Sequence, residues 1–158
     1  MKIVVTGANG LLGTHVTLFL RSLEAYRENL VTLDRDAFND DPTLSNALQS
    51  ADVVIHCAGI NRDSDQALEE DNPQLAERVV QFLSQNNANP HVLYSNTTQR
   101  ERDTPYGRGK SAAHHIFDTW AQDHSAPYTE LVLPHVFGEG GRPNYNSALL
   151  TFCHQIGR

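Results

Sequence analysis

Residues Lys2–Gly13 read K-I-V-V-T-G-A-N-G-L-L-G, and their reading decides the fold. Lys2–Thr6 is short, β-branched and followed at once by glycine, which predicts a buried strand. Beyond the glycines, Leu12, Val16, Phe19, Leu20 and Leu23 recur at helical spacing, which predicts a helix over Leu11–Glu28. A strand that turns through Gly7, Gly10 and Gly13 into a helix has the form of a phosphate-binding turn. Gly7 permits the tight turn, and Gly10 lets backbone N–H groups approach a pyrophosphate. Gly13 lets the helix pack close on the strand, and the helix dipole attracts the phosphates. An ordinary glycine-rich turn is the plain alternative. The position of the motif, after a strand and opening a helix at the start of the chain, favours the dinucleotide reading.

Working outward, short apolar runs alternate with segments of helical period. Leu30–Leu33, Val53–Cys57, Val92–Ser95 and Glu130–Leu133 read as further strands. Asp41–Ser50, Gln74–Gln85, a stretch from Thr104-Pro105 to about Asp123, and Ser147–Ile156 read as helices. The alternation predicts an α/β fold: a Rossmann-type, doubly wound parallel sheet with helices on both faces and right-handed crossovers. The expected strand order is 3-2-1-4-5. The segment between Asp34 and Asp52 carries no strand signal, although a full dinucleotide-binding domain usually has another strand there.

The 158 residues suit one domain, residues 1–158. Hydrophobic residues make up 39%, enough to bury a core. A net charge of −7 argues against nucleic-acid or anionic-membrane partners, which favour basic surfaces. Two cysteines make no disulfide framework, so a reducing, cytoplasmic setting is expected. The apolar run at the N-terminus is too short for a signal peptide. No stretch approaches the roughly 18–20 apolar residues that span a bilayer. Eight histidines are present without ligand spacing, so no metal site is expected. Cys57 and Cys153 read as core thiols.

Two further sites carry chemistry. At the end of the second strand, Asp34 would bond a ribose 2′-OH and favour NAD, whereas Arg35 would clamp a 2′-phosphate and favour NADP; the choice stays open. The fourth strand ends in Y-S-N-T-T-Q (Tyr94–Gln99), and Tyr106 and Lys110 follow four residues apart on one helix face. A phenol with a pKa near 10 is a poor acid or base at neutral pH, and a nearby ammonium favours the phenolate. A hydroxyl from Thr97 would hold a substrate carbonyl or alcohol beside the tyrosine.

With TGANGLLG, VVIHCAG, the Ser/Thr strand end and Y-G-R-G-K in view, the chain resembles the extended short-chain dehydrogenase/reductase family, that of NAD-dependent epimerases and dehydratases. A-G-I-N-R (Ala58–Arg62), the short span from Thr97 to Tyr106, R-P-N-Y-N-S (Arg142–Ser147) and the following T-F-C (Thr151–Cys153) are similar to its capsular-polysaccharide branch, which reduces or epimerises UDP-linked deoxy-amino sugars. The resemblance implies Thr97, Tyr106 and Lys110 as catalytic residues. It implies Gly7, Asn9, Gly10, Leu11, Leu12, Gly13, Asp34, Arg35, Ala58, Gly59, Tyr106 and Lys110 around NAD or NADP. It places Asn61, His135, Asn144 and Asn146 toward a UDP-linked sugar. A homodimer through the helices Gln74–Gln85 and Pro105–Asp123, with Ile116, Phe117 and Trp120 at its face, is implied as well; core packing of those residues is the alternative.

The sequence departs from that family at several places. Gly109 stands where serine is usual, Asn96 where many members have a second serine, and Val132 and His135 where an arginine and an asparagine are usual. Members run to about twice this length, so a truncated product or an isolated cofactor half is expected, with most of a substrate lobe absent. Without that lobe, Leu149, Leu150, Phe152 and Ile156 form an apolar face in need of a partner. The implied chemistry is oxidoreductase- or epimerase-type work on a nucleotide sugar, such as keto-deoxy-sugar reduction, for surface polysaccharide; the choice between reductase and epimerase stays open. A non-catalytic dinucleotide-binding module and an inactive folded fragment are the other readings.

Overall fold

A computed structural model describes residues 1–145 and 147–157. Five strands, β1 (Ile3–Thr6), β2 (Leu30–Leu33), β3 (Val53–His56), β4 (His91–Thr97) and β5 (Tyr128–Leu133), pair in parallel in the order β2-β1-β3-β4-β5. Register aligns Val4 with Val31 and Val54, Val54 with Val92, and Tyr94 with Glu130. The expected order 3-2-1-4-5 is therefore corrected. Where a third strand would extend the sheet beyond β2, the chain instead forms α3 (Arg35–Asn39) and α4 (Asp41–Gln49). It then crosses back, so β3 joins the sheet on the other side of β1.

The helices begin where short polar side chains satisfy free backbone donors. Asp34 Oδ1 accepts from the Ala37 amide at 2.9 Å to open α3, and Asp40 Oδ2 accepts from Thr43 at 3.0 Å to open α4. Ser64 opens α5 (Asp65–Gln85), and Thr104, followed by Pro105, opens α6 (Pro105–His124). The first expected helix is shorter than its periodicity suggests. α1 (Leu11–Ser22) stops where Leu23 adopts an extended conformation, and α2 (Glu24–Arg27) follows. Conversely, α5 starts nine residues before the expected Gln74, because Pro73 lies inside it and reads in sequence as a breaker. The last helix, α7 (Ala148–Ile156), is capped by Ser147.

Strand alternation sorts the core into two layers. On one face Val4, Leu33, Val54, Val92 and Tyr94 meet Leu44 and Leu48 of α4, Val79 and Leu83 of α5, and Phe117 of α6. On the other, Ile3 and Val5 meet Val16 and Leu20 of α1. Phe117 and Trp120 lie in the first layer, so core packing accounts for both. Cys57 is half-buried, but Cys153 is exposed on α7, which corrects the expectation of two core thiols. Leu149, Phe152 and Ile156 form an exposed apolar face on the same helix.

Candidate active site

In a sheet ordered 2-1-3-4-5, ligands bind beyond the carboxyl ends of the strands where the winding reverses, here between β1 and β3. The glycine turn stands there. Gly7 has φ +65°, and a Cβ at this position would lie 2.5 Å from the Ala58 nitrogen, so only glycine fits the turn against the end of β3. A Cβ on Gly13 would collide with the Gly7 carbonyl, which is why α1 packs so close to the loop. Among the described residues α1 has no side-chain cap and no acid in its first turn. Its leading amides are thus oriented to receive an anion, with the dipole favouring negative charge. Behind the turn, buried Thr6 Oγ1 bonds His56 Nδ1 at 2.9 Å and accepts from the Ala58 amide at 3.4 Å, tying the two strand ends together.

Lys110 is almost fully buried at this edge. Its Nζ donates to the Ser95 carbonyl at 2.7 Å and lies 4.2 Å from the centroid of the Tyr94 ring. A Cβ on Gly59 would come within 3.8 Å of the same Nζ, which places the ammonium against the loop after β3. Burial pushes the Lys110 pKa down to about 7, while Cys57 and Glu130 favour the charged form. Tyr106 is half-buried on the first turn of α6, one turn before Lys110, and burial raises its pKa above the usual phenol value. The protein's own atoms therefore do not lower the tyrosine pKa as the spacing alone suggested. Thr97 Oγ1 accepts from the Gln99 amide at 3.2 Å, which orients the hydroxyl and leaves its proton available.

The remaining expected residues divide into groups. Asp34 holds the start of α3, and Arg35 is exposed beside it. The segments that carry Asn61 and Asn144 are joined by two hydrogen bonds. Tyr145 Oη donates to Asn61 Oδ1 at 3.2 Å, and Arg62 Nη1 donates to the Asn144 carbonyl at 3.2 Å. His135 stands apart, its Nε2 2.9 Å from Ser147 Oγ. Asn146 lies outside the described residues. Among those residues, no three His, Cys, Asp or Glu side chains gather as a metal site would require.

Sequence reasoning missed Asn72. From α5 its Nδ2 donates to the Ile60 carbonyl at 2.9 Å and to the Leu68 carbonyl at 3.0 Å, and its Oδ1 accepts from the Ile60 amide at 3.0 Å. It thereby fixes the loop beside Lys110. The available signal was a polar residue on the stripe Asn72, Ala76, Val79, Leu83, which is otherwise apolar and buried. Gly109 also has a local cause, since a Cβ there would collide with the Leu68 carbonyl where α6 crosses α5.

A parallel α/β sheet with a glycine turn at its switch point, and a tyrosine and a buried lysine one turn apart nearby, defines a nucleotide-binding protein of the short-chain dehydrogenase/reductase class. The chain belongs to the NAD dependent epimerase/dehydratase family, which it matches over residues 3–157. It is 33% identical over 157 residues to the UDP-2-acetamido-2,6-beta-L-arabino-hexul-4-ose reductase of Pseudomonas aeruginosa, covering 99% of this chain and 41% of that protein. Its structure is similar to the capsular polysaccharide assembling protein CapF from Staphylococcus aureus, with a TM-score of 0.82, 28% identity, and coverage of 100% and 41%. The UDP-glucuronic acid 4-epimerase from Bacillus cereus in complex with NAD shares the fold, with a TM-score of 0.77, 21% identity, and coverage of 92% and 60%. The chain thus spans about two fifths of the length of the first two relatives. No described helix is long and apolar enough to cross a membrane.

Proposed function

We propose that this chain is a single cofactor-binding domain that holds NAD or NADP at the glycine turn and reduces the keto group of a UDP-linked deoxy sugar. The observation that carries the reading is the buried Lys110 ammonium, held by the Ser95 carbonyl beside Gly59, one turn after Tyr106 and next to the β1–β3 switch point. The similarity to a UDP-hexulose reductase supports the substrate class and the role in surface polysaccharide. Asn9, Gly10, Leu11, Leu12 and Gly13 would cradle the pyrophosphate, and Asp34 and Arg35 would meet the adenosine ribose. Ala58, Gly59, Tyr106 and Lys110 would line the nicotinamide half. The fit rests on the glycine cradle and the uncapped first turn of α1.

When bound, the nicotinamide supplies the hydride. The chain's own residues manage the oxygen that receives a proton. Thr97 donates a hydrogen bond to the carbonyl, and Tyr106 gives its phenolic proton as negative charge develops there. Lys110 stabilises the resulting phenolate and bonds the cofactor ribose. Asn61, His135, Asn144 and Asn146 would contact the sugar nucleotide.

The domain would act in the cytoplasm as a homodimer. The pairing would run along α5 and α6, where Val80, His115, Ile116, Thr119 and Asp123 line a shallow hollow. The test mixes the chain with reduced cofactor and a panel of UDP-linked 4-keto sugars and follows loss of nicotinamide absorbance. Saturable oxidation with one sugar class supports the reading. Cofactor binding with no oxidation makes the chain a dinucleotide-binding module, and absence of both makes it a folded fragment.

A further inference from the structure

On β5, Glu130 is a carboxylate that the assigned roles leave without a task, and its side chain is only 14% exposed. Its Oε1 accepts from Asn96 Nδ2 at 2.5 Å, and its Oε2 is paired with Arg100. Asn96 is itself buried, and its Oδ1 accepts from the Thr97 amide at 2.8 Å. Arg100 belongs to the short helical turn Thr98–Glu101 that starts at Thr97, and the Thr97 hydroxyl caps that turn through Gln99. One carboxylate therefore grips both sides of Thr97, the side chain before it and the turn after it.

We propose that Glu130 is a positioning residue that fixes the Thr97 hydroxyl, acting through Asn96 and Arg100. This rests on Thr97 serving at the site as proposed above. The argument is one of donors and acceptors. A carboxylate only accepts, so the Asn96 amide must present its NH2 group to Glu130, and its oxygen is left facing the Thr97 amide. The Thr97 amide, which needs an acceptor, sets the same orientation from the other end. Serine, which the resemblance makes usual at this place, has one hydroxyl on a shorter side chain instead of the amide's separate donor and acceptor. Burial alone would raise the Glu130 pKa, but hydrogen bonds from Arg100 and Asn96 and the nearby His114 hold it below the usual glutamate value. The carboxylate is thus ionised throughout the neutral range and keeps its grip. Tyr128 and His114 bond each other at 2.9 Å on the α6 side of the same network, with His114 Nδ1 at 3.5 Å from Glu130 Oε1.

The test compares wild type, Glu130→Ala and Glu130→Gln in two readouts. The first is amide hydrogen exchange at Thr97 and Gln99, with Val92 on the same strand as the internal reference. Glu130→Ala is expected to speed exchange at Thr97 and Gln99 by about tenfold while Val92 keeps its protection. Glu130→Gln, which still accepts from Asn96, is expected to fall between. The second readout is turnover with reduced cofactor and the keto sugar. Here kcat is expected to drop about tenfold, with cofactor affinity within about twofold of wild type. Unchanged exchange at Thr97, or loss spread equally over Val92, overturns the positioning role. Wild type without turnover, but with selective exchange at Thr97 in the variant, upholds the positioning and refutes only the proposed catalysis. Arg100→Gln keeps both Asn96 and Glu130 and removes only the pair on the far side of Thr97; faster exchange at Gln99 with Val92 unchanged is expected, and unchanged exchange at Gln99 overturns the positioning role, which covers the case in which Glu130→Ala does not fold.

Discussion

Lys110→Met should make the protein more stable at neutral pH and flatten its response to alkali. A lysine forced from 10.5 to about 7 by burial carries a folding penalty when protonated, corresponding to about 5 kcal/mol for the full shift. The sign follows from proton binding. Between pH 7 and 10.5 the unfolded chain holds a proton at this lysine that the folded chain lacks, so stability rises with pH across that window. Below pH 7 both states are protonated and the penalty is complete. Cys57, pushed by burial from 9.0 to about 11, gives the opposite slope above pH 9, so the informative interval is pH 7 to 9. Over it, wild type should gain about 2–3 kcal/mol relative to Lys110→Met. Urea midpoints measured by circular dichroism at several pH values read this difference. Lys2 and Lys110 are the only lysines in the chain. A sample carrying ¹³C at lysine Cε thus gives two resonances, and Lys2→Arg assigns them. A Lys110 midpoint above pH 10, or parallel stability curves for wild type and Lys110→Met, refutes the reasoning.

Three further outcomes follow from the same contacts. Tyr106→Phe removes the proton donor and should lower turnover by about 10²–10⁴-fold while cofactor affinity, measured by nicotinamide fluorescence, stays within about twofold. His56 is wholly buried, and burial, with the Lys110 charge adding, drives its imidazole down to about 3. Folded protein therefore resists a proton that the unfolded chain takes up near pH 6.5, so stability is lost as pH falls through 6.5 toward 3. The expected loss is about 2 kcal/mol by pH 5, and denaturation midpoints of His56→Gln should show a shallower fall. Gly109→Ser restores the residue usual in the resembling family but drives a side chain into the Leu68 carbonyl. A cost of about 1–3 kcal/mol in urea denaturation is expected.

Much of the fold was legible because one short segment constrains it. Lys2–Gly13 dictates strand, turn and helix in order, and the glycines at 7 and 13 are required by contacts that no side chain tolerates. The sheet order was less accessible. Residues 34–52 lack strand character, yet the placement of β3 depends on which side of β1 the chain returns to, and that is decided by packing rather than by any local residue. Pro73 hid the first turns of α5, since a proline inside a helix is locally unfavourable and is sustained here by tertiary contacts. At the site, Tyr106 and Lys110 announced themselves by spacing on one helix. Asn96, Arg100 and Glu130 did not, because their partnership joins two strands thirty-odd residues apart and Glu130 reads locally as an ordinary solvent-facing residue of a half-buried strand. The Lys110 pKa was equally hidden, since it arises from burial between β3, β4 and α6.

The central claim is that the glycine turn between β1 and β3 holds a nicotinamide dinucleotide, and titration of NADPH and NADH into the wild-type chain and into Gly13→Val tests it most directly. Saturable enhancement of nicotinamide fluorescence is predicted for wild type with at least one of the two, and its loss in a Gly13→Val variant that keeps a native circular dichroism spectrum. No saturation by either nucleotide at millimolar concentration, or equal affinity in wild type and a folded Gly13→Val, would contradict the account.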